Sequence, residues 1–155
     1  MVFGTRPEAI KLAPLAKAMQ QVDFIDVEIC ITAQHREMLD QVLDFFELQA
    51  DYDLDLMTPG QSLFGLTSKA IQSMEGVLDS SKPEVVVVQG DTTTAFVGAL
   101  AAYYKQIKVA HVEAGLRTGN MYSPFPEEGN RALVSKLAHY HFAPTEKAVN
   151  NLKAE

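Results

Sequence analysis

The chain has 155 residues, 47% of them hydrophobic and 21% charged, which suits one domain with a substantial core. A net charge of −7 speaks against a protein that coats nucleic-acid phosphates, and a single cysteine, Cys30, rules out a disulfide within the chain. No apolar run approaches the roughly twenty residues that a bilayer span needs, and no charged-then-apolar leader precedes the first motif, so a soluble cytoplasmic protein is expected.

Short β-rich runs alternate with longer helical ones. VFG offers three residues where strands typically run to five or six, so the chain is expected to open inside its first strand. In the GTRPEAIKLAPL motif Gly4 permits a sharp turn, Thr5 and Glu8 have capping-box spacing and Pro7 suits a first helical turn, which predicts a helix over 7–21. Free N–H groups at its start, with Arg6 and Lys11 beside them, suit a phosphate or sugar hydroxyls; the plainer alternative is that both are solvated charges. Neither G-x-G-x-x-G nor G-x-x-x-x-G-K-[ST] occurs, which removes most support for nicotinamide or ATP chemistry.

VEICIT predicts a strand over 27–32 with Cys30 packed inside it, and TAQHREML places His35 at the end of that strand, where a helix over 35–46 begins. YDLDL, at 52–56, reads as a weaker strand whose polar alternation suits a sheet edge. The amphipathic helix expected over 62–80 carries an apolar stripe for the core or for another subunit. VVVVQ (85–89) is a buried strand; a glycine turn, Asp91 and a run of threonines then open a helix over 92–104. KVAHVE (108–113) ends on Glu113. A long loop shaped by Gly115, Gly119, Pro124 and Pro126 leads to Glu127 and Glu128, which begin a helix over 127–137. Loops of this length in compact domains are often functional, and this one is long enough to reach back over a crevice. YHFAP (140–144) is the last strand, and Thr145 caps a final helix that runs out without a glycine or proline stop, so that helix is expected to be cut.

This alternation predicts an α/β fold: a three-layer, Rossmann-like parallel sheet with right-handed crossovers. Ligands of such sheets bind beyond the carboxyl ends of the strands, and in the order 3-2-1-4-5 the first and fourth strands are neighbours at the switch point. Asp91 then faces the Arg6 loop across the crevice, unless it serves only as a helix cap. Glu113 joins it, and so does Glu127 unless that residue does no more than favour a helix N-terminus. Carboxylates gathered in one partly desolvated site acquire separated pKa values, which suits acid/base chemistry. The histidines His35, His111, His139 and His141 show no metal-ligand spacing, and nothing nearby completes a zinc set around His139 and His141.

FGTRPEAIKLAPL, TAQHREMLDQVL, GDTTT, HVEAGLRTG and SPFPEEGNR, in this order and spacing, resemble the N-terminal lobe of the non-hydrolysing UDP-N-acetylglucosamine 2-epimerases over essentially the whole chain. The resemblance implies that residues 1–155 form one Rossmann-like lobe of a glycosyltransferase-B-type fold, with the C-terminal nucleotide-binding lobe absent. It implies interconversion of UDP-N-acetylglucosamine and UDP-N-acetylmannosamine, by elimination of UDP to 2-acetamidoglucal and its re-addition, for cell-surface polysaccharide synthesis. By motif match Asp91, Glu113 and Glu127 take acid/base or cation-stabilising roles, and Arg6 and Lys11, with Asp91 and Glu113, contact the substrate. Gln34 and His35 fall in a region that contributes to an effector site in bacterial members. No metal, redox cofactor, nucleic acid or membrane is implied, and a homodimer is expected of the full-length form. With only one wall of the crevice, the 155-residue chain is expected to fold but to show little or no epimerase activity. The alternatives are a glycosyltransferase or hydrolysing epimerase of the same architecture, or a lobe that binds nucleotide sugars without chemistry.

Overall fold

A computed structural model describes residues 1–33, 36–56, 58 and 60–155. Through them run β1 (Val2–Phe3), α1 (Arg6–Met19), β2 (Cys30–Ile31), α2 (Arg36–Phe45), β3 (Tyr52–Asp53) and α3 (Leu63–Ser81), then β4 (Val85–Gln89), α4 (Thr93–Tyr104), β5 (Lys108–Val112), α5 (Glu127–Leu137), β6 (Tyr140–Phe142) and α6 (Glu146–Ala154). Local chemistry starts these helices where the sequence places them. The Thr5 side chain accepts from the Glu8 N–H at 3.4 Å while Glu8 Oε2 accepts from the Thr5 N–H at 2.8 Å, the reciprocal pair of a capping box. Ser62, Thr92 and Thr145 cap α3, α4 and α6 in the simpler way, accepting from the N–H of Gly65, Ala95 and Ala148.

Every strand pair is parallel. The ladders are β1–β2–β3 and β4–β5–β6, and β1 lies beside β4 where they meet, so the spatial order is 3-2-1-4-5-6. Gly98 of α4 permits this close seam: a Cβ there would stand 3.1 Å from Val88 Cγ1 and 3.4 Å from Val2 Cγ1. Alternate strand residues serve opposite faces. On one face Val2, Cys30, Val86, Val88 and Val109 pack under α3, α4 and α5. On the other Phe3, Ile31, Val87 and Ala110 pack against Leu12, Ala16, Leu39 and Leu43 of α1 and α2. The three layers and the parallel sheet are those that the sequence predicts.

Two expectations change in extent. The strand expected over 27–32 is laddered only at Cys30–Ile31, because its neighbours β1 and β3 supply two residues each. The sheet expected to be continuous is two ladders, since among the described residues β1 lies beside β4 without a ladder pairing between them. Cys30 is buried against Met74, and burial pushes its thiol up to about 12, as befits a packing residue. Strand β3 sits at an edge, as its polar alternation requires. Among the described residues no helix is long and apolar enough to cross a membrane.

Candidate functional site

The carboxyl ends of β1, β4 and β5 open onto one rim, where the N-termini of α1, α4 and α5 also gather. Two glycines shape it for different reasons. At Gly4 a Cβ would lie 2.0 Å from Thr32 Oγ1 and 2.7 Å from Thr94 Oγ1, which themselves share a buried hydrogen bond of 2.8 Å, so there is no space for a side chain. At Gly90 the demand is conformational: its φ is +69°, in the left-handed region. His111 fixes that turn from beneath. It is fully buried and its Nε2–H donates to the Gly90 carbonyl at 2.7 Å, while burial drives its pKa down to about 4, so the ring is neutral.

Oppositely charged groups alternate along the rim. Lys11 Nζ donates to Glu113 Oε2 at 2.5 Å, and Gln89 Nε2 donates to the same oxygen. Glu113 itself has a φ of +64°, an uncommon backbone for a side chain of this size. The Arg131 guanidinium donates to Asp91 Oδ2, and Asn130 Nδ2 donates to the Asp91 carbonyl at 2.9 Å. Asp91 is half-buried, and burial raises its pKa. Arg131 pulls the other way, while the charges of Glu127 and Glu113 raise it further. Asp91 therefore feels the other two acids. Behind them lies Glu8, 1% exposed, whose pKa burial also raises against the hydrogen bonds from Thr92, Gly4 and Thr5.

The structure thus joins Lys11 to Glu113 and brings Glu113 and Glu127 within electrostatic reach of Asp91. Asp91 is not the cap of α4: Thr92 is, which frees the Asp91 carboxylate for Arg131. Arg6 is exposed at the first turn of α1 and makes no ion pair among the described residues. Glu127 lies in the first turn of α5 beside Glu128, but the two differ in use. Glu128 is buried and accepts from the N–H groups of Thr118 at 2.9 Å and Gly119 at 3.1 Å, tying the long loop to the start of α5. Burial opposes its ionisation, yet those N–H groups and Arg131 outweigh it and hold the carboxyl below its ordinary value. Gln34 and His35, the expected effector residues, lie outside the described residues. His139 and His141 meet backbone groups, the Val109 N–H and the Ser135 carbonyl, and among the described residues no three potential metal ligands cluster.

Sequence reasoning did not single out Arg131, Gln89, Asn130 or the burial of Glu8. Arg131 carried a readable signal, since in PEEGNR it lies four residues after Glu127 and so on the same helix face. Gln89 had a weaker one, a polar residue closing an apolar strand. What the arrangement offers chemically is a set of neighbouring carboxylates able to take and give protons, with Lys11 and Arg131 as cations and helix N-termini for an anion.

A model of a protein family described as UDP-N-acetylglucosamine 2-epimerase matches residues 17–155. A UDP-N-acetylglucosamine 2-epimerase of Yersinia pestis is 58% identical over 154 residues, which cover 99% of this chain and 41% of the relative. Among solved structures, the UDP-GlcNAc 2-epimerase of Neisseria meningitidis bound to UDP-GlcNAc matches at a TM-score of 0.96 and 58% identity, over 99% of this chain and 41% of that one. The enzyme of Methanocaldococcus jannaschii in complex with UDP-GlcNAc and UDP matches at 0.92 and 42% identity, over 99% and 42%. The chain spans about 41% of the length of the curated relatives it matches.

Proposed function

Since the chain belongs to the UDP-N-acetylglucosamine 2-epimerase family, we propose that residues 1–155 are the N-terminal, Rossmann-like lobe of an enzyme that interconverts UDP-N-acetylglucosamine and UDP-N-acetylmannosamine. The C2 hydrogen of the sugar has no adjacent carbonyl and is too weakly acidic for direct removal. Departure of UDP builds oxocarbenium character at C1 and acidifies C2, so elimination to 2-acetamidoglucal followed by re-addition is the accessible route. That route needs a carboxylate to take the C2 proton, an acid to return one to the opposite face, and cations for the departing diphosphate.

Asp91, Glu113 and Glu127 supply the acids and bases in this reading, and the charges of Glu127 and Glu113 add to the burial that raises the pKa of Asp91. Lys11 and Arg6 contact the substrate, and Gln34 and His35 belong to an effector site. The observation that carries the reading is the gathering of Asp91, Glu113 and Lys11, drawn from the segments that follow three separate strands, near the seam between β1 and β4. The full-length form is a cytoplasmic homodimer, and its second lobe closes the crevice against water. Alone, the 155-residue chain turns over little or no substrate.

The test is proton NMR in deuterium oxide on a full-length protein carrying residues 1–155. UDP-N-acetylmannosamine forms with deuterium at C2, and Asp91→Asn or Glu113→Gln lowers kcat by about a hundredfold or more. Unchanged turnover in both variants would refute the assignment, and release of free N-acetylmannosamine would make the enzyme a hydrolase.

A further inference from the structure

Glu8 is 1% exposed, and all the hydrogen bonds at its carboxylate come from the two turns that frame the rim. Its Oε2 accepts from the N–H of Gly4 at 3.0 Å, the N–H of Thr5 at 2.8 Å and the Thr5 hydroxyl at 2.7 Å. Its Oε1 accepts from the Thr92 hydroxyl at 2.6 Å, across 84 positions of sequence. Thr5 and Thr92 are the N-caps of α1 and α4. Each cap hydroxyl accepts from an N–H of its own helix, Glu8 or Ala95, and so has its proton left to donate to Glu8. Helix α4 has Ala95 three residues after its cap, where α1 has Glu8, so the carboxylate that completes both caps is the one on α1. The carboxyl group sits between two helix N-termini, whose dipoles favour its ionised form while burial opposes it.

We propose that Glu8 is a positioning residue: it locks the first turn of α1 to the first turn of α4, and thereby sets Lys11, which pairs with Glu113, against Asp91, which pairs with Arg131. Lys11 is one turn along α1 from Glu8, and Asp91 directly precedes the Thr92 that Glu8 holds. A change in the reach of the Glu8 side chain is therefore transmitted to the separation of the proposed acid/base groups. The catalytic consequence rests on the epimerase reading above; the linkage does not.

Glu8→Ala leaves buried donors unpaired and tests folding more than position, so the informative variant is Glu8→Asp, which keeps the carboxyl group and shortens the reach. In the 155-residue chain, carbon-13 NMR follows the titration of the Asp91 carboxyl, and amide spectra follow Thr92 and Ala95. Glu8→Asp is expected to move the Asp91 midpoint and both amide signals, with a carboxyl group still at residue 8. In the full-length protein it is expected to lower kcat by on the order of tenfold or more while KM stays within about threefold, because a small misplacement costs rate before it costs binding. Glu8→Asp that leaves the Asp91 titration and the α4 cap signals at their original positions overturns the linkage. Displaced signals with unaltered kcat reduce Glu8 to a purely structural residue and overturn the positioning role. If the unsubstituted full-length protein makes no product, the epimerase reading falls and the NMR titration alone decides the linkage.

Discussion

In the turn after β1 the acid follows its cap by three residues and is buried among N–H groups; in the turn after β4 the acid precedes its cap by one and reaches Arg131. The strand, glycine and threonine cap are common to both. The difference lies in a single offset of a carboxylate relative to the cap, and it separates an acid that builds the frame from an acid that faces the crevice. The glycines diverge in the same sense: Gly4 is required by crowding, Gly90 by backbone torsion.

The largest expected effect breaks the first turn. Gly4→Ala pushes a methyl group into Thr32 and Thr94 and is expected to cost about 3 kcal/mol or more, whereas Gly90→Ala meets only Glu113 Oε2 at 3.8 Å and costs about 1 kcal/mol of backbone strain. Thermal unfolding of both variants checks this, and equal losses would show that the two turns are built on the same constraint.

Acid comes next. His111, held neutral with its pKa at about 4 against an ordinary 6.5, binds its proton more readily in the unfolded chain. Its contribution is complete above about 6.5 and is lost as pH falls towards 4, by up to about 3 kcal/mol. Glu8 has the opposite sign, since a carboxyl raised by burial contributes below its ordinary value and loses that contribution as pH rises through the raised one. Between the ordinary histidine value of 6.5 and the ordinary glutamate value of 4.5 the acid limb therefore reports the turn after β4, and below that Glu128, held under its ordinary value, adds a loss of the same sign. Urea unfolding across that range is expected to show a slope that His111→Gln flattens; an undiminished slope in the variant would place its source elsewhere.

The smallest effect concerns the rim itself. Lys11 is exposed and its pair with Glu113 is partly solvated, so Lys11→Met is expected to change stability by less than about 1 kcal/mol. A larger loss, measured by the same unfolding experiment, would make that pair part of the frame and erase the distinction between the two turns.

The order of elements and the position of the rim are legible in the sequence because both depend on local signals. VVVVQ, KVAHVE and the threonine caps announce their own conformations, and each turn motif lies at a strand end. The pairings are not legible, since they arise where β1 meets β4. Nothing near Asp91 announces Arg131, 40 residues on, and nothing in GDTTT reveals that Thr92 donates to Glu8. The capping-box spacing at Thr5 and Glu8 is legible, but it accounts for only half of what that carboxylate does. The extent of β2 is likewise settled by its neighbours: VEICIT has strand character throughout, but β1 and β3 pair with two of its residues.

Glu113 takes a left-handed torsion that only glycine adopts without penalty, at a cost of about 1 kcal/mol. Laboratory selection for heat resistance that relieved this torsion with glycine would discard, unnoticed, one of the acids on which the proposed chemistry depends, and would strip Gln89 and Lys11 of their shared acceptor. A hardened variant therefore needs its gains placed elsewhere in the chain.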